Sequence, residues 1–168
     1  MNPCEECTHV LSDETGKAVI VDCGAYYPNE RRHLLEYIEK EQLRPVRLLL
    51  THAHHDYVYG NDLIHDHFGL LPEVHEADKE LMTVQLRERI DEIYHEYPYP
   101  LPMPEHYLTD EEIIRFGNHE LRVIHTHQGI RPAPCSSIAK RMGLHSQATH
   151  CSTKVSGVLT CRVEIVTS

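Results

Sequence analysis

"LLLTHAHHDYVYGN", from Leu48 to Asn61, constrains this chain more than any other stretch. Three leucines run into Thr51, and His52, His54, His55 and Asp56 then fall within five positions. The apolar run reads as a buried strand. The residues after it form the loop at its carboxyl end, where α/β proteins place ligands. On such a loop alternate side chains converge, which sets His52, His54 and Asp56 toward one point and turns His55 the other way. Imidazole and carboxylate both suit first-row metals, and zinc accepts them at about 2.0–2.2 Å. A solvated polar loop is the competing reading. The buried strand before the cluster and the glycine turn at Gly60 after it favour the metal.

The flanking sequence supplies a frame for that loop. "AVIVDCG", Ala18 to Gly24, is a second buried strand, preceded by a hairpin turn at Asp13–Gly16 after "HVL". Pro28 and Asn29 open a helix with Asn29 as its cap, and Leu34, Leu35, Ile38 and Leu43 give it one apolar face. Pro45 ends it, and Val46 to Leu50 is the next strand. Strand, helix, strand is a βαβ unit, so the fold class is α/β. Further on, "NDLIHDHFG" reads as a helix capped by Gly69, "PEVH" as a short strand, and Glu76 to Tyr94 as a long polar helix. Tyr97 to Tyr107, with four prolines, is an extended linker. "EIIRFGNHELRVIHT" is a hairpin turning at Gly117-Asn118.

At 168 residues the chain has room for one domain with a real core. No run reaches the roughly 18–20 apolar residues of a membrane span. "MNPCEECTHV" has neither the basic start nor the apolar core of a secretory signal. The expectation is a cytoplasmic protein whose six cysteines are not a disulfide framework. A net charge of −10 disfavours nucleic acid as a partner.

The stretch around His52 resembles the metallo-β-lactamase superfamily signature T-H-x-H-x-D-H-x-x-G, matching at Thr51, His52, His54, Asp56 and Gly60. Asn2 to Glu30 resembles the opening of its glyoxalase-II-like (hydroxyacylglutathione hydrolase) members, and "HELRVIHT" the strand before the family's next motif, H-T-P-G-H-[ST]-x-G. The resemblance covers nearly all of residues 2–126. It implies an αββα sandwich, with His52 and His54 on one metal and Asp56 on a second, where it also orients a hydroxide in catalysis. Zinc is the implied metal, one ion or two, with iron or manganese as variants. The implied reaction is hydrolysis of a small-molecule thioester or ester by hydroxide generated at the metal. Two departures stand out. Position 57 is Tyr where the family has His, which weakens the second metal site, and the P-G-H and G-D motifs are missing.

The missing motifs coincide with a break in texture. Residues 1–126 contain one serine and 127–168 contain six, while all nine tyrosines precede the break. The charge is −14 before it and +4 after it. The expectation is two parts: residues 1–126 as the N-terminal part of the domain, and 127–168 as a disordered tail translated out of frame. Joining the third base of each codon to the first two of the next tests this on paper. "GIRPAPCSSIAKRMG" then permits Gly-His-Ser-Pro-Gly-Ser-Val-Leu-Phe-Tyr-Cys-Lys-Lys/Glu-Asp-Gly. "SQATHCS" permits Phe-Ser-Gly-Asp-Thr-Leu-Phe, and "SGVLTCR" permits Ile-Gly-Arg-Thr-Asp-Leu-Pro. These are the family's later motifs, in order and at family spacing. As encoded, the third histidine of metal site one and the bridging Asp are absent, and His125 and His127 are weak substitutes.

Three functions follow from the resemblance: an impaired metallo-hydrolase, a non-catalytic metal-binding fragment, and an iron-dependent persulfide dioxygenase of the same fold. Cys4-x-x-Cys7 reads as ordinary thiols, since no second pair completes a zinc knuckle. His65 and His67 read as solvent-facing.

Overall fold

The computed structural model describes residue 4, residues 6–86, 88, 90 and 99–125, and the backbone of 161–166; for 84 and 85 it describes the backbone alone. The chain begins with β1 (His9–Ser12), β2 (Lys17–Val21), α1 (Pro28–Lys40) and β3 (Arg44–Leu49). A 3-10 turn at His55–Tyr57, α2 (Asn61–Phe68) and β4 (Pro72–His75) follow. The remaining strands are β5 (Tyr107–Leu108), β6 (Ile113–Phe116), β7 (His119–His125) and β8 (Cys161–Val166).

The strands form two sheets, ordered β1-β2-β3-β4-β5 and β6-β7-β8. β2, β3, β4 and β5 run parallel, and β1 closes the edge antiparallel to β2. The βαβ unit of β2, α1 and β3 is therefore present. Its strands are covered on both faces, as parallel strands require. Val19, Val21 and Leu49 face the second sheet and meet Ile114, Phe116, Leu121 and Val123. Ile20 and Leu48 point the other way, onto Ile38 of α1 and Ile64 of α2. The layers are helix, sheet, sheet. Each fully buried aliphatic side chain there contributes about 1.5–3 kcal/mol.

Several local expectations are corrected. The cap of α1 is Tyr27, with Pro28 at the first helical position. Proline suits that place because its lost N–H has no helical partner. The Glu30 carboxylate, at the third helical position, reaches back to accept the N–H groups of Tyr26 and Tyr27. α1 ends at Lys40 and Gln42 turns left-handed at φ 54°, so Pro45 lies inside β3 rather than ending the helix. The register shifts between Ala18 and Val19 where Pro45 pairs. A bulge tolerates a residue with no ladder donor.

The segment read as a polar helix from Glu76 begins as a 3-10 turn, Glu76–Asp78, and contains a π-helical turn, Leu81–Gln85. It is not polar all round, since Met82, Leu86 and Ile90 are buried at helical spacing against Leu50, Val58 and Val74. Its last four expected residues, 91–94, lie outside the described residues. Gly69 caps α2 at φ 67°, and the β6–β7 hairpin turns at Gly117 with φ 53°, both as expected. His65 and His67 are exposed.

The disordered tail is corrected at one place. Residues 161–166 are β8, antiparallel to β7 from Glu120↔Val166 to His125↔Cys161. "CRVEIV" alternates apolar and charged residues over its first five positions, a strand period that survives whatever its reading-frame history. The rest of the tail, 127–160, lies outside the described residues. No helix among the described residues is long and apolar enough to cross a membrane.

Candidate metal centre

β3 delivers Leu50 and Thr51 to the rim of the first sheet, and the loop from His52 to Gly60 turns there. Two anchors hold it. Asp22, at the end of β2, accepts the backbone N–H of Thr51 at 2.8 Å and its hydroxyl at 2.9 Å. Asp78 Oδ2 accepts the N–H of Ala53 at 3.2 Å. Asp22 is 2% exposed and sits in the left-handed region at φ 56°. Burial, opposed by the two Thr51 hydrogen bonds, pushes its carboxyl up to about 7.

The same threonine orients a histidine. Thr51 Oγ1 lies 3.0 Å from His52 Nδ1. With its own proton given to Asp22, the hydroxyl oxygen accepts Nδ1–H, which leaves the lone pair of His52 on Nε2. A buried carboxylate holding a hydroxyl that holds an imidazole is the support a metal-ligating histidine needs. His52 is 4% exposed, and burial, reinforced by His54, pushes its pKa down to about 3. The ring is therefore neutral, the form that binds metal. The half-buried His54 ring stands edge-on to it, with centroids 4.5 Å apart.

Asp56 lies in the 3-10 turn, on the side of Glu6 and Asp22. Burial, then Asp22, Asp56 and Glu30, push the Glu6 carboxyl up to about 9. Tyr57, at the position of the lost histidine, packs its ring 4.0 Å from that of His52. The structure thus pairs His52 with His54 and sets Asp56 beside the acidic groups. Among the described residues, the one group of three donors lying mutually within 4.8 Å is Asp13, Glu14 and His119, in the hairpins at the opposite end of the sheet. Those side chains serve the turns: Asp13 accepts the N–H groups of Thr15 and Asn118, and Glu14 the Asn118 amide.

Asp22 and Asp78 escaped the sequence reading as loop anchors. An acid ending a fully apolar strand was the available signal for Asp22. Nothing local marks Asp78, whose partner is 25 residues away.

The donor chemistry fits a divalent metal at the His52–His54 pair: two imidazoles side by side, one neutral and held by the nitrogen it does not offer. The fold is a helix-covered pair of facing sheets with a His-x-His-x-Asp loop at the end of a parallel strand. The family model of the metallo-beta-lactamase superfamily matches residues 7–130, and the chain belongs to that superfamily.

An uncharacterized protein of Aquifex aeolicus (strain VF5) is 28% identical over 134 residues, 77% of this chain and 57% of that protein. A hydroxyacylglutathione hydrolase of Cronobacter sakazakii is 41% identical over 51 residues, 30% of this chain and 18% of that protein. Among solved structures, the BLEG-1 B3 metallo-beta-lactamase has a TM-score of 0.62 at 25% identity, covering 75% of this chain and 58% of its own. The chain thus spans little more than half the length of its longest curated match above, and less of the other.

Proposed function

We propose that this chain is a metallo-hydrolase of the thioesterase kind, acting on a small-molecule thioester or ester and impaired as encoded. The observation that carries the reading is the buried His52 imidazole, its Nδ1 3.0 Å from Thr51 Oγ1 and its ring edge-on to that of His54. His52 and His54 would hold one metal, and Asp56 would serve a second or orient the attacking water. The metal supplies Lewis acidity toward a carbonyl and toward water. Zinc suits two imidazoles, and iron or manganese are alternatives. The stretch of identity with a hydroxyacylglutathione hydrolase supports a thioester as substrate.

The impairment follows from the break near residue 127. The segment from there is proposed to be the family's C-terminal half read one base out of frame. The family match ending at residue 130 supports this, as do the three restored motifs. The division at 126/127 rests on the same ground. The nucleotide sequence around codons 125–128 tests it: a slipped repeat there is the expected result, while an intact frame conserving this tail in related genes would sink the idea.

The metal reading has its own test. One equivalent of zinc or cobalt should bind, and His52→Ala and His54→Ala should weaken it by more than the roughly 10–100-fold cost of losing an outer hydrogen bond. Binding indifferent to both substitutions would overturn it. Turnover of a hydroxyacyl-glutathione thioester should be feeble in this chain and substantial in the chain with the frame restored.

A further inference from the structure

We infer that His75 is a positioning residue for the metal loop, acting through the turn that follows it and the carboxylate of Asp78. What the loop holds rests on the metallo-hydrolase reading; how the loop is held does not. His75 ends β4 and caps the 3-10 turn Glu76–Asp78, its Nδ1 accepting the N–H of Ala77 at 3.2 Å. The cap fixes the turn, and the turn aims Asp78 back across the rim, where Oδ2 accepts the N–H of Ala53 at 3.2 Å. Ala53 is fully buried and stands between His52 and His54 in the chain. The bond from Asp78 therefore fixes the peptide that joins His52 to Ala53. His54 lies within electrostatic range of the same carboxylate.

The His75 ring is itself held. It is 5% exposed and stacks on the ring of His125 at the end of β7, with centroids 4.2 Å apart and planes 9° from parallel. β4 belongs to the first sheet and β7 to the second, so the stack joins the two sheets at this point. The backbone N–H of His125 donates in turn to Asp110 at 2.8 Å. Burial, reinforced by His125, holds the His75 pKa below its usual range. A neutral imidazole that accepts at Nδ1 carries its proton on Nε2, so it has no lone pair left for a metal. Its part is support. Asn, Asp or Ser would cap a helical turn as well, but none of them offers a flat ring to stack.

The loop is thus held from two neighbouring strands. Asp22 acts through Thr51 from the end of β2, and His75 acts through Asp78 from the end of β4. Outer partners of this kind set the orientation of the ligands they support.

Hydrogen exchange at the Ala53 amide, followed by NMR in the metal-free full-length chain, tests it. His75→Phe keeps a flat ring for the stack and removes the acceptor. His75→Asn keeps an acceptor and removes the ring. Ala53 should exchange about fivefold faster in His75→Phe, the size of a lost cap, and at the wild-type rate in His75→Asn. Rates are taken relative to the Ile20 amide of β2, so a uniform loss of stability cancels. Unchanged exchange at Ala53 in His75→Phe overturns the assignment. Equal acceleration in both variants also overturns it, since the stack and not the cap would then hold the loop. Asp78→Ala should speed Ala53 at least as much, and His75→Phe added to it should do nothing more; additive effects overturn the relay. Should His75→Phe fail to fold, His75→Leu replaces it with the same expectation. Zinc affinity should fall about tenfold in His75→Phe and hold in His75→Asn. An affinity that does not move while Ala53 loosens overturns the positioning role. If the wild-type chain binds no zinc through His52 and His54, the hydrolase reading fails, and Ala53 exchange still decides whether His75 holds the loop.

Discussion

Asp22 accepts two hydrogen bonds from Thr51, one from its backbone at 2.8 Å and one from its hydroxyl at 2.9 Å. The end of β2 is thereby locked to the start of the metal loop, and His52 is oriented through the same hydroxyl. Three residues from two strands act as one support.

That support has a pH signature in the metal-free chain. The Asp22 carboxyl is raised to about 7, so between about pH 4 and 7 the folded chain keeps a proton that the unfolded chain has lost. Its contribution is full below pH 4 and falls as pH rises through that window. His52, lowered to about 3, works oppositely: the unfolded chain binds a proton below about 6.5 that the folded chain refuses, so stability falls with acid. The two slopes oppose each other over pH 4–6.5, each by at most about 1.4 kcal/mol per pH unit. Asp22→Asn removes the first alone. Urea midpoints measured with a chelator should then rise more steeply with pH than in the wild type; identical slopes refute the assignment.

The exit from the loop is held by Arg31. Its guanidinium forks onto the Asp62 carboxylate of α2 and donates to the Tyr59 carbonyl at 3.2 Å. The Tyr99 ring lies against the guanidinium, 4.1 Å from the ring centroid to Cζ. The pair's side chains are 12% and 3% exposed. Arg31→Met strands a buried carboxylate and should cost about 3–5 kcal/mol. Arg31→Met combined with Asp62→Leu should recover much of that in denaturant titrations. A single variant within about 0.5 kcal/mol of wild type would show the pair contributes nothing.

Gly60 is required by packing. A Cβ there would stand 2.4 Å from Cys23 Sγ and 3.2 Å from the Cys23 carbonyl oxygen, while the Gly60 N–H donates to that same carbonyl at 2.7 Å. Gly60→Ala should destabilise by about 1–3 kcal/mol through overpacking. The added methyl presses on the buried thiol, so Gly60→Ala with Cys23→Ala should regain part of the loss. No recovery in the double variant would place the strain elsewhere.

The parts of this fold legible in the sequence share a physical reason. Ala18–Val21 and Leu48–Leu50 are apolar on both faces because sheet and helices cover both, and Gly69 and Gly117 mark left-handed turns that few other residues adopt. The His52–His54 pairing was legible because a loop leaving a strand alternates its side chains. What escaped was set by distant partners. Asp78 anchors Ala53 from 25 residues further along the chain, and Cys4 meets His55 only when the loop folds. Asn29 looked like a cap by residue type, yet Glu30 reached back and Pro28 fixed the first turn. The strand at Cys161–Val166 was hidden by a compositional argument that averaged over the tail and passed over five alternating residues within it.

Tyr57 packs its ring 4.0 Å from that of His52, at a position where the superfamily signature has a histidine. A neutral phenol is a poor zinc ligand, and zinc sites are built from imidazole, thiolate and carboxylate. On the proposed reading, a histidine there would stand beside Asp56 on the 3-10 turn and give a second metal two adjacent donors. Tyr57→His should therefore raise the zinc bound per chain and add a calorimetric binding step at least about tenfold tighter than any second step in the wild type. Tyr57→Phe is the control: it keeps the packing against His52, drops the hydroxyl, and should leave metal binding unchanged. If Tyr57→His binds no more zinc than Tyr57→Phe, the second site fails for want of its later ligands and not for want of this one. Repeating the substitution in the frame-restored chain then measures how far those later ligands compensate.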